Sequence, residues 1–321
     1  MSQKIIQKLI KWEMAGVILP ILLISLLLHF LADGFLTPFN LDSLALTVAI
    51  TSIVGLSQLL TLSIGQFNLA LGSMGAFTAM LLGALLEKYG VPVLWAILIG
   101  VAAGTLLGMI QGLLIVKTGI NPFIITLALS SVILGIATAV TRGEAYFQLP
   151  ETFKLIGKLY IFNIPLLFLI AVFVAIIVFI IMNKTPLGRQ ILATGANAKA
   201  ALFSGINTAK IIIIVHSLSG ALAGLAGILQ VARLGSAQLS IGMDWLLVSF
   251  AAPVLGGTLL SGGKVTVFGT LFGAILMAII INGLVLININ SFWFQLFLGV
   301  ILLAAFEMNR IRLLLLGQKG N

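Results

Sequence analysis

Residues 183–210 read NKTPLGRQILATGANAKAALFSGINTAK, and their contrast with what lies on either side decides the fold. The flanking runs, roughly 164–182 and 211–232, are apolar and carry no Asp, Glu, Lys or Arg. A break that gathers Gly, Pro, Asn and several cations between two such runs reads as a water-exposed connection between membrane spans. It is longer than a turn requires, and so reads as a docking surface.

The whole chain shares the character of the flanking runs. Of its 321 residues 61% are apolar and 8% charged, and the mean hydropathy is +1.26. A soluble domain carries about 25% charged residues. Spans of about 20 apolar residues cross a bilayer as helices, and they are read here at roughly 14–32, 43–63, 69–87, 92–116, 121–141, 164–182, 211–232, 244–258, 265–287 and 291–308. The eighth is short and holds Pro253, which marks it as broken or re-entrant. The expected fold class is an all-α polytopic membrane protein of about ten transmembrane helices, with residues 1–321 forming one transmembrane domain.

The start, MSQKIIQKLIKWE, is basic, and the apolar run behind it outlasts a signal-peptide core, so it is read as an uncleaved first span. With that end inside, 12 cations fall on the cytoplasmic side: Lys4, Lys8, Lys11, Lys117, Lys184, Arg189, Lys199, Lys210, Lys264, Arg310, Arg312 and Lys319. Five fall outside: Lys88, Arg142, Lys154, Lys158 and Arg233. Cytoplasmic loops hold the excess of Lys and Arg, so both termini and residues 183–210 are expected in the cytoplasm. The net charge of +9 is met by anionic membrane lipid and calls for no nucleic acid.

Several kinds of chemistry are disfavoured. Cysteine is absent, which removes disulfides, thiol nucleophiles and cysteine metal sites. The acids Glu13, Asp33, Asp42, Glu87, Glu144, Glu151, Asp244 and Glu307 all fall at span ends or in loops, whereas ion-coupled carriers usually keep a carboxylate inside the bilayer. Sites built from carbonyls and hydroxyls stay open. Asp-rich Mg²⁺ chemistry is disfavoured for the same reason. The sequence from Gly257 to Val265, GTLLSGGKV, is one residue too long for a phosphate loop and has Val265 where a hydroxyl is needed, so any ATPase is another chain. His29 and His216 are isolated, with no carboxylate or second His at metal-ligand spacing.

Gly100, Gly104, Gly108 and Gly112 recur along one face of the fourth span, and Gly220 with Gly224 and Gly269 with Gly273 repeat the spacing. Such faces let helix backbones approach closely. Intramolecular packing is the plainer role, a dimer seam the other. Gln58, Gln66, Asn68, Gln111, Asn121, His216, Gln230 and Asn282 are polar groups that cannot face lipid cheaply. Each satisfies a neighbouring helix or lines a polar cavity. Together they suit a neutral, hydroxylated solute.

Four segments carry a resemblance. Residues 65–73, GQFNLALGS, resemble GGxDLSxGS; residues 108–116, GMIQGLLIV, with 120–127, INPFIITL, resemble GxxNGxLV…IPPFIxTL. Residues 195–206, GANAKAALFSGI, resemble GxNxxAAxxSGI, and residues 254–264, VLGGTLLSGGK, with 269–274, GTLFGA, resemble VLGGTSLSGGKG…GTxxGA. These are the patterns of the permease subunits of bacterial ribose-type ABC sugar importers. The chain departs from them at Gln66 for Gly, Asn68 for Asp, Ala70 for Ser, Gln111 for Asn, Asn121 for Pro and Val265 for Gly, while Pro253 also breaks the fourth pattern.

The resemblance implies a permease subunit of an ABC importer in the bacterial inner membrane, taking a sugar or sugar-like solute. Its partners would be a separate ATPase subunit that binds ATP and Mg²⁺, an extracytoplasmic solute-binding protein and a second permease subunit, with no cofactor in this chain. Residues 183–210 become the coupling segment received by the ATPase, with Gly195, Asn197, Ala200, Ala201, Ser204 and Gly205 at the contact. Pro186 and Gly188 are expected to break the sixth span's exit, and residues 196–206 to form one short amphipathic helix capped or tied by Asn197 or Ser204. Gln58, Gln66, Asn68, Gln111, Asn121 and Asn282 are the expected pathway residues; Asn68 alternatively serves only to cap the third span. A secondary carrier or channel for small polar solutes is the alternative function, and a membrane enzyme or scaffold a further class.

Overall fold

A computed structural model of the chain describes residues 3–290 with 293, 296, 297, 299, 300 and 303, and side chains from residue 17 onward. The expected tenth span, 291–308, and the charged residues of both ends lie outside the residues described in full. The helices are α1 (Gln3–Leu31), α2 (Pro38–Ser63), α3 (Leu71–Gly83), α4 (Val93–Thr118), α5 (Pro122–Thr141), α6 (Glu151–Lys158), α7 (Leu166–Lys184), α8 (Pro186–Ala196), α9 (Ala198–Phe203), α10 (Thr208–Leu234), α11 (Trp245–Leu255) and α12 (Val267–Leu286). A π-helical turn, Ala84–Lys88, prolongs α3. Two short strands, β1 (Tyr160–Ile161) and β2 (Ile164–Pro165), form a hairpin whose turn residues Phe162 and Asn163 both have positive φ.

Among the described residues, α2, α4, α5, α7, α10 and α12 are long and apolar enough to cross a membrane. Apolar stretches at Val17–Leu31 and Trp245–Leu255 are shorter. The helix ends follow local chemistry. Thr37 caps α2 ahead of Pro38, and Asn121 caps α5 ahead of Pro122, its Oδ1 accepting the Phe123 N–H at 2.9 Å. Gly119 and Gly235 close α4 and α10 in the left-handed conformation that glycine adopts without penalty.

Two helices form the middle of the bundle. From Val48 to Ser63 every residue of α2 is buried, as expected of a helix covered on all sides. It touches α7, α10, α11 and α12. The other central helix, α10, packs on α2, α3 and most extensively on α4. The expected glycine face explains that last pairing. A Cβ on Gly104 would meet the Gly220 carbonyl at 2.5 Å, one on Gly112 the Ile213 Cα at 2.8 Å, and one on Gly108 would strike the His216 carbonyl. The face is thus used within the chain, between α4 and α10. Gly269 and Gly273 play the same part on α12, against the Gly256 and Ala252 carbonyls at the end of α11.

The exit of the seventh helix differs from expectation. Pro186 does not leave a break: Thr185 caps a new helix, accepting the Gly188 N–H at 3.2 Å, and Pro186 occupies its first turn, where the missing N–H is harmless. The segment 196–206 is not one helix either. Asn197 caps α9 by accepting the Ala200 N–H at 3.0 Å, and α9 stops at Phe203, before Ile206. The eighth expected span is the 11-residue α11, which ends two residues past Pro253.

Candidate functional site

The half of the bundle near α8 and α9 contains a hydrogen-bonded chain across three elements. The side-chain amide of Gln111 on α4 donates to Nδ1 of His216 on α10 at 2.7 Å. Nε2 of His216 in turn lies 2.8 Å from Oε1 of Gln66, in the turn after α2. An amide nitrogen only donates and an amide oxygen only accepts, so the ring is neutral with its proton on Nε2. His216, read from sequence as isolated, is the member that joins two expected pathway residues.

One helical turn further along α10, Ser219 organises a second group. Asn68 Nδ2 donates to Ser219 Oγ at 3.1 Å, and Ser57 Oγ donates to the Ser219 carbonyl at 2.7 Å. Asn68 is fully buried, and its Oδ1 accepts the Ala70 N–H at 3.0 Å. It therefore shapes the turn into α3, although the capping position is Ala70 and not Asn68. Its amide bridges α2, α3 and α10 with no group left over.

This turn has a twin. Residues 62–65 and 239–242 both read LSIG, Gly65 and Gly242 both have positive φ, and each leads to a helix, α3 and α11. The two helix starts cross: Gly72 of α3 lies against the Gly242 backbone, and a Cβ on Gly75 would enter the Trp245 ring. A cavity of about 260 Å³ opens beside the crossing, walled by Leu69, Ser73, Ser130, Leu239, Met243 and Leu246. Paired interrupted helices whose N-termini meet inside a bundle are a recurrent way to place partial positive charge at a solute path. The repeated tetrapeptide is the signal in the sequence that would have found them.

The far end of the turn touches the expected coupling segment. Gly195, near the end of α8, lies directly on the Ser63 carbonyl, and a Cβ there would also meet the Gly263 nitrogen at 2.6 Å. Ser63 O accepts the Gly263 N–H at 3.0 Å. Gly262 and Gly263, both at positive φ, fit against Gly65 and Ala196. Three of the four sequence motifs thus meet at one joint. Beyond it, α9 holds Ala201 buried and turns Leu202 and Phe203 outward, Phe203 being 89% exposed. Ser204 ends α9 and donates to the Ala200 carbonyl at 2.9 Å.

The other expected pathway residues stand apart. Asn121 is exposed and caps α5. Asn282 exchanges two hydrogen bonds with Asn40, at 3.1 and 2.7 Å, tying α12 to the start of α2. Gln58 is fully buried on α2, and neither its amide oxygen nor its nitrogen has a partner among the described residues. No group of three or more His, Cys, Asp or Glu side chains suited to a metal occurs among the described residues.

Comparison with known proteins bears on this arrangement. A family described as "Branched-chain amino acid transport system / permease component" matches residues 40–306. The chain is similar to the ribose import permease protein of Bacillus subtilis (strain 168), 35% identical over 297 residues, 92% of each chain. It is similar to the D-allose transport system permease protein of Escherichia coli (strain K12), 29% identical over 87% of this chain and 86% of the other. An L-arabinose ABC transporter permease protein of Azospirillum brasilense is 30% identical over 94% of this chain and 89% of its own length. No solved structure matches.

Proposed function

The chain belongs to the branched-chain amino acid transport system permease family, whose members are multi-pass membrane transport subunits and not enzymes, and from that membership we propose that it is the permease of an ATP-driven importer for a sugar or sugar-like solute. Residues 1–321 act as one transmembrane domain of about ten spans in the bacterial inner membrane, both termini cytoplasmic. ATP and Mg²⁺ are bound by separate ATPase subunits, an extracytoplasmic binding protein presents the solute, and a second permease subunit completes the path.

The observation that carries this reading is the joint at Gly195. A segment that presents bare apolar side chains at Leu202 and Phe203 is braced, through Gly195, on the Ser63 carbonyl at the foot of the turn holding Gln66 and Asn68. A push on α9 has only tightly packed backbone between it and that polar turn, and packed backbone transmits displacement instead of absorbing it. The lack of an ATP site in this chain makes such an input necessary. Sugar is preferred to amino acid as the solute because the relatives' names specify ribose, allose and arabinose, and because Gln66, Asn68, Gln111 and Ser73 are uncharged.

The test is reconstitution in proteoliposomes with the ATPase and binding protein encoded beside it. Uptake of labelled ribose, allose or arabinose is expected to require all components and ATP. Uptake by the permease alone, down a gradient, would instead make it a carrier or channel.

A further inference from the structure

At the end of the bundle remote from α8 and α9 lies a second cavity, of about 360 Å³, between α2, α10, α11 and α12. That volume is at the small end of the roughly 300–1,000 Å³ of small-molecule sites. Its wall holds Thr47, Gln230, Arg233, Ser240, Asp244 and Trp245. None of these was an expected site residue, and Arg233 entered the sequence reading only as an external cation.

The polar groups here are incompletely used. Arg233 is half-buried and donates one hydrogen bond, from Nη2 to Thr47 Oγ1 at 2.9 Å. Among the described residues it has no ion pair, and Asp244, though in the same cavity, is not within salt-bridge distance of it. The side-chain oxygen of Gln230 is buried without a partner among the described residues. Buried polar atoms are nearly always hydrogen-bonded, so guanidinium donors, an amide acceptor and a carboxylate facing one space imply an occupant that both accepts and donates. Water meets that need, and so does a polyol, each of whose hydroxyls accepts from a guanidinium while donating to an oxygen.

We infer that this cavity is a binding station for a neutral polyhydroxylated solute, held by donation from Arg233 and acceptance by Gln230 and Asp244. The inference rests on the importer reading and extends it to a site in the half of the protein opposite the coupling segment. The separation of Arg233 from Asp244 sets the spacing a solute must bridge. The hydroxyls of Thr47 and Ser240 favour a sugar over a zwitterion, which would leave them unused. The station shares Ile241 and Gly242 with the cavity at the α3–α11 crossing, so the segment after the second LSIG turn is the partition between the two.

The chain contains no cysteine, which gives a direct test. Ser240→Cys in the reconstituted complex is labelled with a polar maleimide, and Gln148→Cys, exposed and outside the cavity, serves as the control. Saturating ribose, allose or arabinose, whichever the complex transports, is expected to slow labelling at position 240 several-fold and leave position 148 unchanged. The protection is expected to disappear in Arg233→Gln or Gln230→Leu. Intact ATP-driven uptake with no protection at position 240 would overturn the station and leave the importer standing. Equal protection by leucine would overturn its specificity for a neutral polyol. Failure of the unsubstituted complex to take up any sugar would remove the importer reading and this one with it.

Discussion

Oε1 of Gln66 accepts a hydrogen bond from Nε2 of His216 across 2.8 Å and 150 residues of sequence. The same ring accepts from Gln111. Gln66 and Gln111 are both positions where the chain departs from the family pattern it otherwise follows, so two departures in separate motifs are one arrangement in space, compensated through His216.

Removing the bridge should therefore expose both amides at once. His216→Ala leaves the Gln66 and Gln111 side chains without their shared partner, at a cost of about 2 kcal/mol for each buried group so stranded. In a double-mutant cycle Gln66→Gly and His216→Ala are expected to be non-additive by about 1 kcal/mol. Thermal unfolding of the purified permease measures both; strict additivity would mean the hydrogen bond contributes nothing.

The glycine seam between α4 and α10 predicts a contrast within one residue type. A Cβ on Gly108 overlaps the His216 carbonyl, whereas one on Gly135 of α5 meets nothing within 4 Å. Gly108→Ala should lose about 1–3 kcal/mol by overpacking. Gly135→Ala should be neutral or gain up to about 1 kcal/mol from helix propensity. Equal melting shifts for the two would contradict the seam.

Phe203 and Gly195 separate docking from bracing. Phe203→Asp alters a side chain that is 89% exposed, so folding should be unchanged while ATPase co-purification and ATP-driven uptake fall at least about tenfold, as for loss of a buried aromatic anchor in a partner groove. Gly195→Val collides with Ser63 and is expected to lower the melting temperature as well. A Phe203→Asp permease that still couples ATP hydrolysis to uptake would place the contact elsewhere.

Asn282 is expected to act on stability alone. Its two hydrogen bonds go to Asn40, so Asn282→Leu strands that amide at about 1–3 kcal/mol. Uptake KM should stay as it was. A changed KM with unchanged stability would return Asn282 to the solute path.

Local chemistry made much of this protein legible. The expected spans at 92–116 and 121–141 lie within two residues of α4 and α5, because Pro, Asn and Gly mark their ends. The same local signals misled at residue 186. A proline after a span reads as an interruption, yet with Thr185 before it the same residue opens α8. Asn197 was legible as a cap because capping is a contact across three residues. Asn282 was not legible as the partner of Asn40, 242 residues away, since nothing local encodes which helix ends meet.

By itself the sequence determined that this chain is helical and membrane-embedded, where its polar coupling segment lies and which family it joins. In lipid every backbone N–H and C=O must be satisfied within its own segment, so hydropathy and caps are enough to write the helices. Only the tertiary structure decided that Gly65, Gly195 and Gly263 form one joint, that His216 links Gln66 to Gln111, and that Arg233 and Gln230 face a shared cavity. Those outcomes depend on which helix faces fit closely enough to exclude lipid, a property of paired surfaces that no single stretch of sequence carries.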